Sequence, residues 1–313
     1  MLQKSYSMKQ RKVKYTKVVA SYDEQIERLR TRGVKIYDEI KAKEYLSDIG
    51  YYRLGFYIFP FEVTYPFLDK RRRHTVKEGT TIEEIVAFYY YNVDLRNILN
   101  KYLSRIEIAI RSTMVYELSN KYPDNQFWYV DPDVVSSEFI RDFEMIYDKT
   151  IRSKEPIRRH HQKYYGKFAP AWKTMEYTTF GNLEALFGSL LHTTDQCLIS
   201  NHFGEPAISK FKNYLSVVRE VRNSCAHGNV IVGLKLTNSV EAKSKACPTL
   251  EKGTQNTFNG ALRIIDYLIH QISVNRAKEM RNEISDATAK LYSKAPSLQS
   301  LVQQKTGIIL PPT

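Results

Sequence analysis

The chain has 313 residues, enough for one large domain or two modest ones with a true hydrophobic core. Hydrophobic residues make up 42% and charged residues 26%, a balance that reads as soluble and globular. The formal net charge of +13 favours a polyanionic partner, nucleic acid first, over a surface that is basic only for solubility.

No stretch approaches the roughly 18 apolar residues of a membrane span, so no membrane partner is expected. The basic N-terminus has no apolar run of signal-peptide type. Cys197, Cys225 and Cys247 are far apart and form no CxxC pair, which argues against a zinc knuckle or a disulfide framework and for a reducing, cytoplasmic setting. The 23 tyrosines suit core packing with a polar tip, and also stacking on bases.

In chain order, residues 1–19 read as a basic tail. In "SYDEQIERLRTRG", Ser21 and Glu24 have capping-box spacing and Gly33 stands where the helix stops. A second helix is expected through "YDEIKAKEYLSDIG", ending near Gly50, then a compact aromatic turn, "YYRLGFYIFPFEV", and a charged loop, "DKRRRHTVKEG". The next segment, to Pro123, is strongly helical. Leu95, Ile98, Leu99, Tyr102, Leu103, Ile106, Ile110 and Met114 recur at steps of three and four. Residues 124–204 mix short helices and loops. A helix through "PAISKFKNYLSVVREVRNSCAHG" follows, then a β-prone "NVIVGLKLT", a polar loop to about 255, and one last long helix. There is no internal repeat and no glycine-rich phosphate loop.

The chemistry gathers at the end of the Pro206 helix. Ile208, Phe211, Leu215 and Val218 mark its apolar stripe, and the next slots are Arg222 and Cys225. A guanidinium on that stripe needs an anion, because burying it unpaired costs several kcal/mol. The anion can be a carboxylate of the fold or a phosphate of a ligand. His227 lies about 140° further round the helix and just before Gly228, a good residue to end it. A ring there faces the negative end of the helix dipole and can serve acid–base chemistry. The alternative is a salt-bridged arginine and a capping histidine. On the preceding long helix, Arg96, Asn100, Glu107 and Arg111 fall within about a 60° arc. They form either a boundary ion-pair network or the support of a site.

"RNSCAH", Arg222 to His227, resembles the R-x4-6-H motif of HEPN-domain ribonucleases. "YDEQIERLRTRGVKI", "YLSDIGYYRLGFYIFPF", "YYNVDLRNILNKYLSRIEIAIRSTMVYEL" and "PAWKTMEYTTFGNLEALF" resemble the Abi-like abortive-infection family of bacteria, the AbiD and AbiF group. The similarity covers about residues 20–235. It implies a mainly α fold: a HEPN-type helical bundle with additional helices and short irregular or β insertions. The expected organisation is a flexible tail (1–19), an N-terminal helical segment (20–78), a HEPN-like domain (79–285) with a mobile insertion near 124–172 and a loop near 238–255, and a C-terminal tail (286–313); beyond about 240 no motif of the family is found. The resemblance implies metal-independent cleavage of RNA by a phage-defence toxin, without cofactor, through Arg222 and His227 with Asn223 orienting the site. Attack of a 2′-OH on the adjacent phosphate gives a 2′,3′-cyclic phosphate and a 5′-OH. One motif per chain leads to the expectation of a homodimer, and a small RNA antitoxin is a further candidate partner. The alternative is a non-catalytic RNA-binding protein on the same scaffold.

Two basic stretches are candidate RNA contacts: Arg71, Arg72 and Arg73, and Arg158, Arg159, His160, Lys163, Tyr164 and Tyr165. His160 and His161 diverge by about 100° on a helix and lack companion ligands, so no metal site is expected.

Overall fold

Ser21 and Glu24 form the capping box that their spacing predicts, at the start of α1 (Tyr22–Thr31). The computed structural model describes residues 16, 18–68, 70–251 and 253–308, so the expected basic tail falls almost wholly outside the described residues. The chain divides into two compact units between Val86 and Ala87. The first holds α1, α2 (Glu39–Ile49) and α3 (Tyr51–Ile58). Here α3 replaces the expected aromatic turn. Leu54, Tyr57 and Ile58 step at helical intervals and are buried, and a 3-10 turn containing Pro60 ends the run.

The helix α4 (Ile82–Lys121) runs through the boundary between the units, and most of its length belongs to the second. Leu95, Leu99, Tyr102, Leu103, Ile106, Ile110 and Met114, seven of the eight expected stripe residues, are 0–1% exposed. Short helices follow: α5 (Ser137–Ile146), α6 (Glu155–Lys163), α7 (Ala171–Thr174), α8 (Phe180–Ser189) and α9 (Thr193–His202). The segment expected as a mobile insertion has its own buried aromatic cluster, in which Tyr129 meets Phe143 and Phe168 edge to face. Then come α10 (Ile208–Ala226), α11 (Phe258–Ile272), α12 (Val274–Lys294) and α13 (Gln299–Thr306).

Three expectations need correction. The last long helix is two helices. Ser273 takes an extended backbone, and its hydroxyl accepts from the Arg276 N–H to cap α12. The stretch expected as a C-terminal tail from 286 is helical for most of its length to Thr306. It buries Thr288, Leu291, Leu298 and Val302. "NVIVGLKLT" forms no strand: among the described residues β-pairing is confined to isolated bridges, one of them Lys235 with Thr257.

The backbone donors of that would-be strand go elsewhere. The N–H groups of Ile231 and Val232 both donate to Asn92 Oδ1, at 3.0 and 3.1 Å, and Asn92 Nδ2 donates to Phe88 O. Residues 237–243 then run along α10 as a strap. Thr237 N–H donates to Glu220, Asn213 Nδ2 to Ser239 O, and Lys210 Nζ to Lys243 O. One flank of α10 is thereby covered. On its core flank α10 packs against α8 and α11, and α11 against α12. Tyr91 bonds Thr288 and Tyr102 bonds Glu283, so α12 closes over α4. The fold is mainly α.

Asn92 is fully buried. Asn92→Ala leaves two backbone donors without a partner, and the expected loss of stability is about 3 kcal/mol, read from urea denaturation. A loss below about 1 kcal/mol would mean that the site relaxes or admits water.

Candidate active site

Val218, Val221 and Cys225, not Arg222, continue the buried line of α10. Arg222 stands beside it with 42% of its side chain exposed, which corrects its expected place on the core-facing stripe. The physical reason is the cost of a buried cation, and a small rotation about the axis suffices to avoid it. Ile208 likewise sits at the border rather than in the core.

Helix α10 ends as Gly228 predicts. His227 is the last residue before it, and its N–H donates to Asn223 O. Gly228 has φ +71°, its N–H donates to Cys225 O, and the Asn229 N–H reaches back to Ser224 O at 2.9 Å. This is a Schellman end, and the left-handed residue is a glycine because a Cβ there would be strained. It leaves the His227 side chain exposed at the rim, one turn past the half-buried Arg222 and Asn223.

Polar groups of α4 hold this end. Arg96, 7% exposed, donates to Asn229 O at 3.1 Å. Glu107 sits between two guanidinium groups: its Oε1 accepts from Arg111 at 2.9 Å, and its Oε2 lies 3.9 Å from Arg222 Nε. Arg111 also donates to Thr178 O, just before α8. Thus Arg96, Glu107 and Arg111 are brought to the motif, as their shared arc suggests, whereas Asn100 is exposed and bonds none of them. At 3.9 Å the Glu107–Arg222 contact is an ion pair and not a hydrogen bond. Among the described residues neither the Arg222 guanidinium nor the His227 ring makes a hydrogen bond to the protein. Such a pair can accept an anion on the arginine and exchange a proton on the ring.

A family model described as Abi-like protein matches residues 44–232, more than half of the chain. The chain belongs to the Abi-like family. No curated protein and no solved structure matches it. Membership links this Abi-like protein to abortive infection. The matched region contains the whole motif and α4, and it stops at Val232, where Asn92 clamps the backbone.

The expected RNA contacts are placed unevenly. In the first unit of the Abi-like protein, Arg72 makes two hydrogen bonds of 2.8 Å to Glu62, a carboxylate 1% exposed. Burial opposes the Glu62 charge, but the bonds from Arg72 and His74 outweigh it and hold the carboxyl below its usual range. Arg72 is therefore a structural partner. Arg71 lies over the Phe67 ring, and Arg73 is exposed. In the second unit Arg158 and Arg159 share Glu155, and Lys163, Tyr164 and Tyr165 are exposed. His160 is 8% exposed, with burial and then Lys173 lowering its pKa; it is withdrawn from the surface where RNA contact was expected. His161 bonds Tyr147 OH at 2.8 Å. Among the described residues no three His, Cys, Asp or Glu side chains gather as metal ligands, and no helix is long and apolar enough to cross a membrane.

Asn92 and Thr178 were absent from the expected site. The signal for Asn92 was present: an amide inside the apolar run "FYYYNVDL" must bond something when buried. Nothing in the sequence pointed to a backbone carbonyl at 178.

Two predictions separate structural from chemical roles in the Abi-like protein. Glu107→Ala removes the counter-charge of the nearly buried Arg111 and is expected to cost about 2–3 kcal/mol. Arg222→Ala, at a half-exposed and loosely paired site, is expected to cost under about 1 kcal/mol. Denaturant melts of both variants check the contrast, and equal losses would make Arg222 a structural residue. Burial pushes the Cys225 thiol up to about 12 against the pull of Arg96 and the Cys247 thiol up to about 11. Iodoacetamide at pH 8 is expected to alkylate the half-buried Cys197 alone in the native protein, read by peptide mass spectrometry.

Proposed function

We propose that this Abi-like protein is a HEPN-type endoribonuclease, a toxin of abortive infection that cleaves RNA without a metal ion. The observation that carries the reading is Arg222. Its guanidinium is positioned by Glu107 yet has no hydrogen bond to the protein, and it stands one turn before an exposed histidine at the helix end.

The residue types suit one reaction. A ribose 2′-OH attacks its own 3′-phosphate, and the P–O5′ bond breaks. The proton leaving the 2′-oxygen and the proton gained by the 5′-oxygen balance. His227 Nδ1 or Nε2 takes the first or supplies the second. Arg222 pairs with the non-bridging oxygens as negative charge grows on them, and Asn223 orients the phosphate. The products are a 2′,3′-cyclic phosphate and a 5′-OH. One ring performs one of the two transfers at a time, so a homodimer that sets two motifs across one cleft supplies both. A basic chain of this kind also suits restraint by a small RNA.

The test is cleavage of a labelled single-stranded RNA in EDTA. His227→Ala is expected to lower the rate by about 10²–10⁴-fold and Arg222→Ala by about 10²–10³-fold, with circular dichroism unchanged. Mass spectrometry is expected to find cyclic phosphate ends, and the matching DNA is expected to stay intact. Unaltered cleavage in both variants, or a strict requirement for magnesium, would overturn the reading. RNA binding without any wild-type cleavage would favour the non-catalytic alternative. A chain that is monomeric in sedimentation at the assay concentration and still cleaves would remove the dimer.

A further inference from the structure

The strap covers one flank of α10 and the core covers a second. A third flank stays open, and Arg222 lies on its edge. On a 100° wheel, Leu215, Arg219, Lys212 and Asn223 fall between about 20° and 100° from Arg222. Opposite this flank, α8 presents Gly181, Ala185 and Gly188 at steps of four and three, a flat floor without bulky side chains. Together the two helices enclose an open cleft of about 450 Å³, floored also by Leu215. That size falls within the range of small-ligand sites.

The cleft adjoins the motif through bonds as well as by position. Arg111 ties Glu107, the carboxylate facing Arg222, to Thr178 O just before α8. A Cβ built on Gly181 would come within 3.8 Å of Arg219 Cδ. Arg219 is one helical turn from Arg222 and is ion-paired with Glu184 across the mouth. Lys212, exposed at the far end, has no ion-pair partner among the described residues. Two cations and one carboxylate leave the rim with one positive charge. A flat apolar floor accepts the face of a planar ring, and a cationic rim accepts the phosphate attached to it.

From this arrangement we infer that the α8–α10 cleft is a nucleotide subsite: it binds the base and phosphate of a nucleotide next to the one held at Arg222. The inference rests on the ribonuclease reading for its substrate. An RNA strand leaving Arg222 follows α10 toward its N-terminus, lays a base on Gly181, Ala185 and Gly188, and reaches Lys212 with a phosphate. Arg219 and Lys212 are then binding residues and take no part in proton transfer.

A 5′-labelled, 2′-O-methyl 10-nucleotide single strand, which cannot be cleaved, tests this by fluorescence anisotropy over a range of salt. Gly188→Leu fills the cleft from its floor, and the position tolerates it, because a Cβ there meets nothing within 4 Å and leucine favours a helix. Binding is expected to weaken about tenfold in Gly188→Leu, because the leucine occupies the space of the base on the floor; tenfold corresponds to about 1.4 kcal/mol. In Lys212→Ala the slope of log affinity against log salt is expected to become shallower by about 0.7. Lys294→Ala, far along the chain on α12, is expected to match wild type. Unchanged affinity in Gly188→Leu together with an unchanged salt slope in Lys212→Ala would overturn the inference, as would a wild-type chain that does not bind the strand. Polyglutamate that binds wild type but not Gly188→Leu, with RNA affinity unaffected by that change, would overturn it in favour of an acidic protein partner. Because the probe is uncleavable, the two readings fail separately. Loss of binding in Gly188→Leu supports the subsite even if His227→Ala cleaves like wild type. Normal binding in Gly188→Leu with an unchanged salt slope in Lys212→Ala leaves the subsite wrong even if His227→Ala loses cleavage.

Discussion

The carboxylate of Glu107 lies between two guanidinium groups, and much of the second unit is arranged around that fact. A cation as little exposed as Arg111 needs a counter-charge, the more so because its buried Nε has no hydrogen-bond partner among the described residues. Glu107 supplies the charge and Thr178 O accepts a hydrogen bond. The other oxygen of Glu107 faces α10, 3.9 Å from Arg222 Nε, and biases where that side chain rests. Further back on α4, Arg96 and Asn92 take up the carbonyl and the two N–H groups that the end of α10 leaves behind. One helix thus holds the motif at both ends, and α10 cannot shift along its axis without orphaning buried polar groups.

The parts of this arrangement that depend on local periodicity were legible in the sequence. The apolar stripe of α4, the capping box at Ser21 and the helix end at Gly228 follow from steps of three and four, from a side chain that caps, and from a residue that tolerates positive φ. The polar arc Arg96, Glu107 and Arg111 was also legible, because residues eleven and fifteen apart return to nearly the same side of a helix. What the sequence concealed is non-local. "NVIVGLKLT" has the β-branched content of a strand, but its donors are claimed by Asn92 and Glu220, and only the tertiary fold places those acceptors. The break at Ser273 carries neither glycine nor proline, so a continuous apolar pattern hides it. Arg222 looked buried because a stripe drawn at fixed steps ignores the alternative line through Val221 and Cys225, which costs no desolvation.

The C-terminal helices add a constraint that the family region lacks. That region ends at Val232, yet α4 still has an apolar side to cover. Helix α11, which packs against α10 and α12, buries Phe258, Ile264, Ile265 and Leu268, and α12 lays Thr288 and Glu283 on Tyr91 and Tyr102. A long, largely apolar helix left half-covered would carry an exposed patch of the kind that drives association. The added helices cover part of that side, while the α8–α10 flank stays open.

The looseness of the Arg222–Glu107 pair is what makes the site usable. Two opposite charges about 4 Å apart interact by about 1 kcal/mol in water and about 4 kcal/mol at a partly screened protein surface. Arg222 is nearly half exposed and Glu107 mostly buried, so the pair lies between these two figures. That is enough to bias the orientation of the side chain but too little to hold it against a ligand. A phosphate oxygen that takes charge-assisted hydrogen bonds from the guanidinium gains about 1.5–3 kcal/mol per bond, and two parallel bonds are possible. Glu107 therefore presents the arginine without occupying it. A tighter pair, such as Arg72 with Glu62, would have spent its donors on the fold and left none for chemistry.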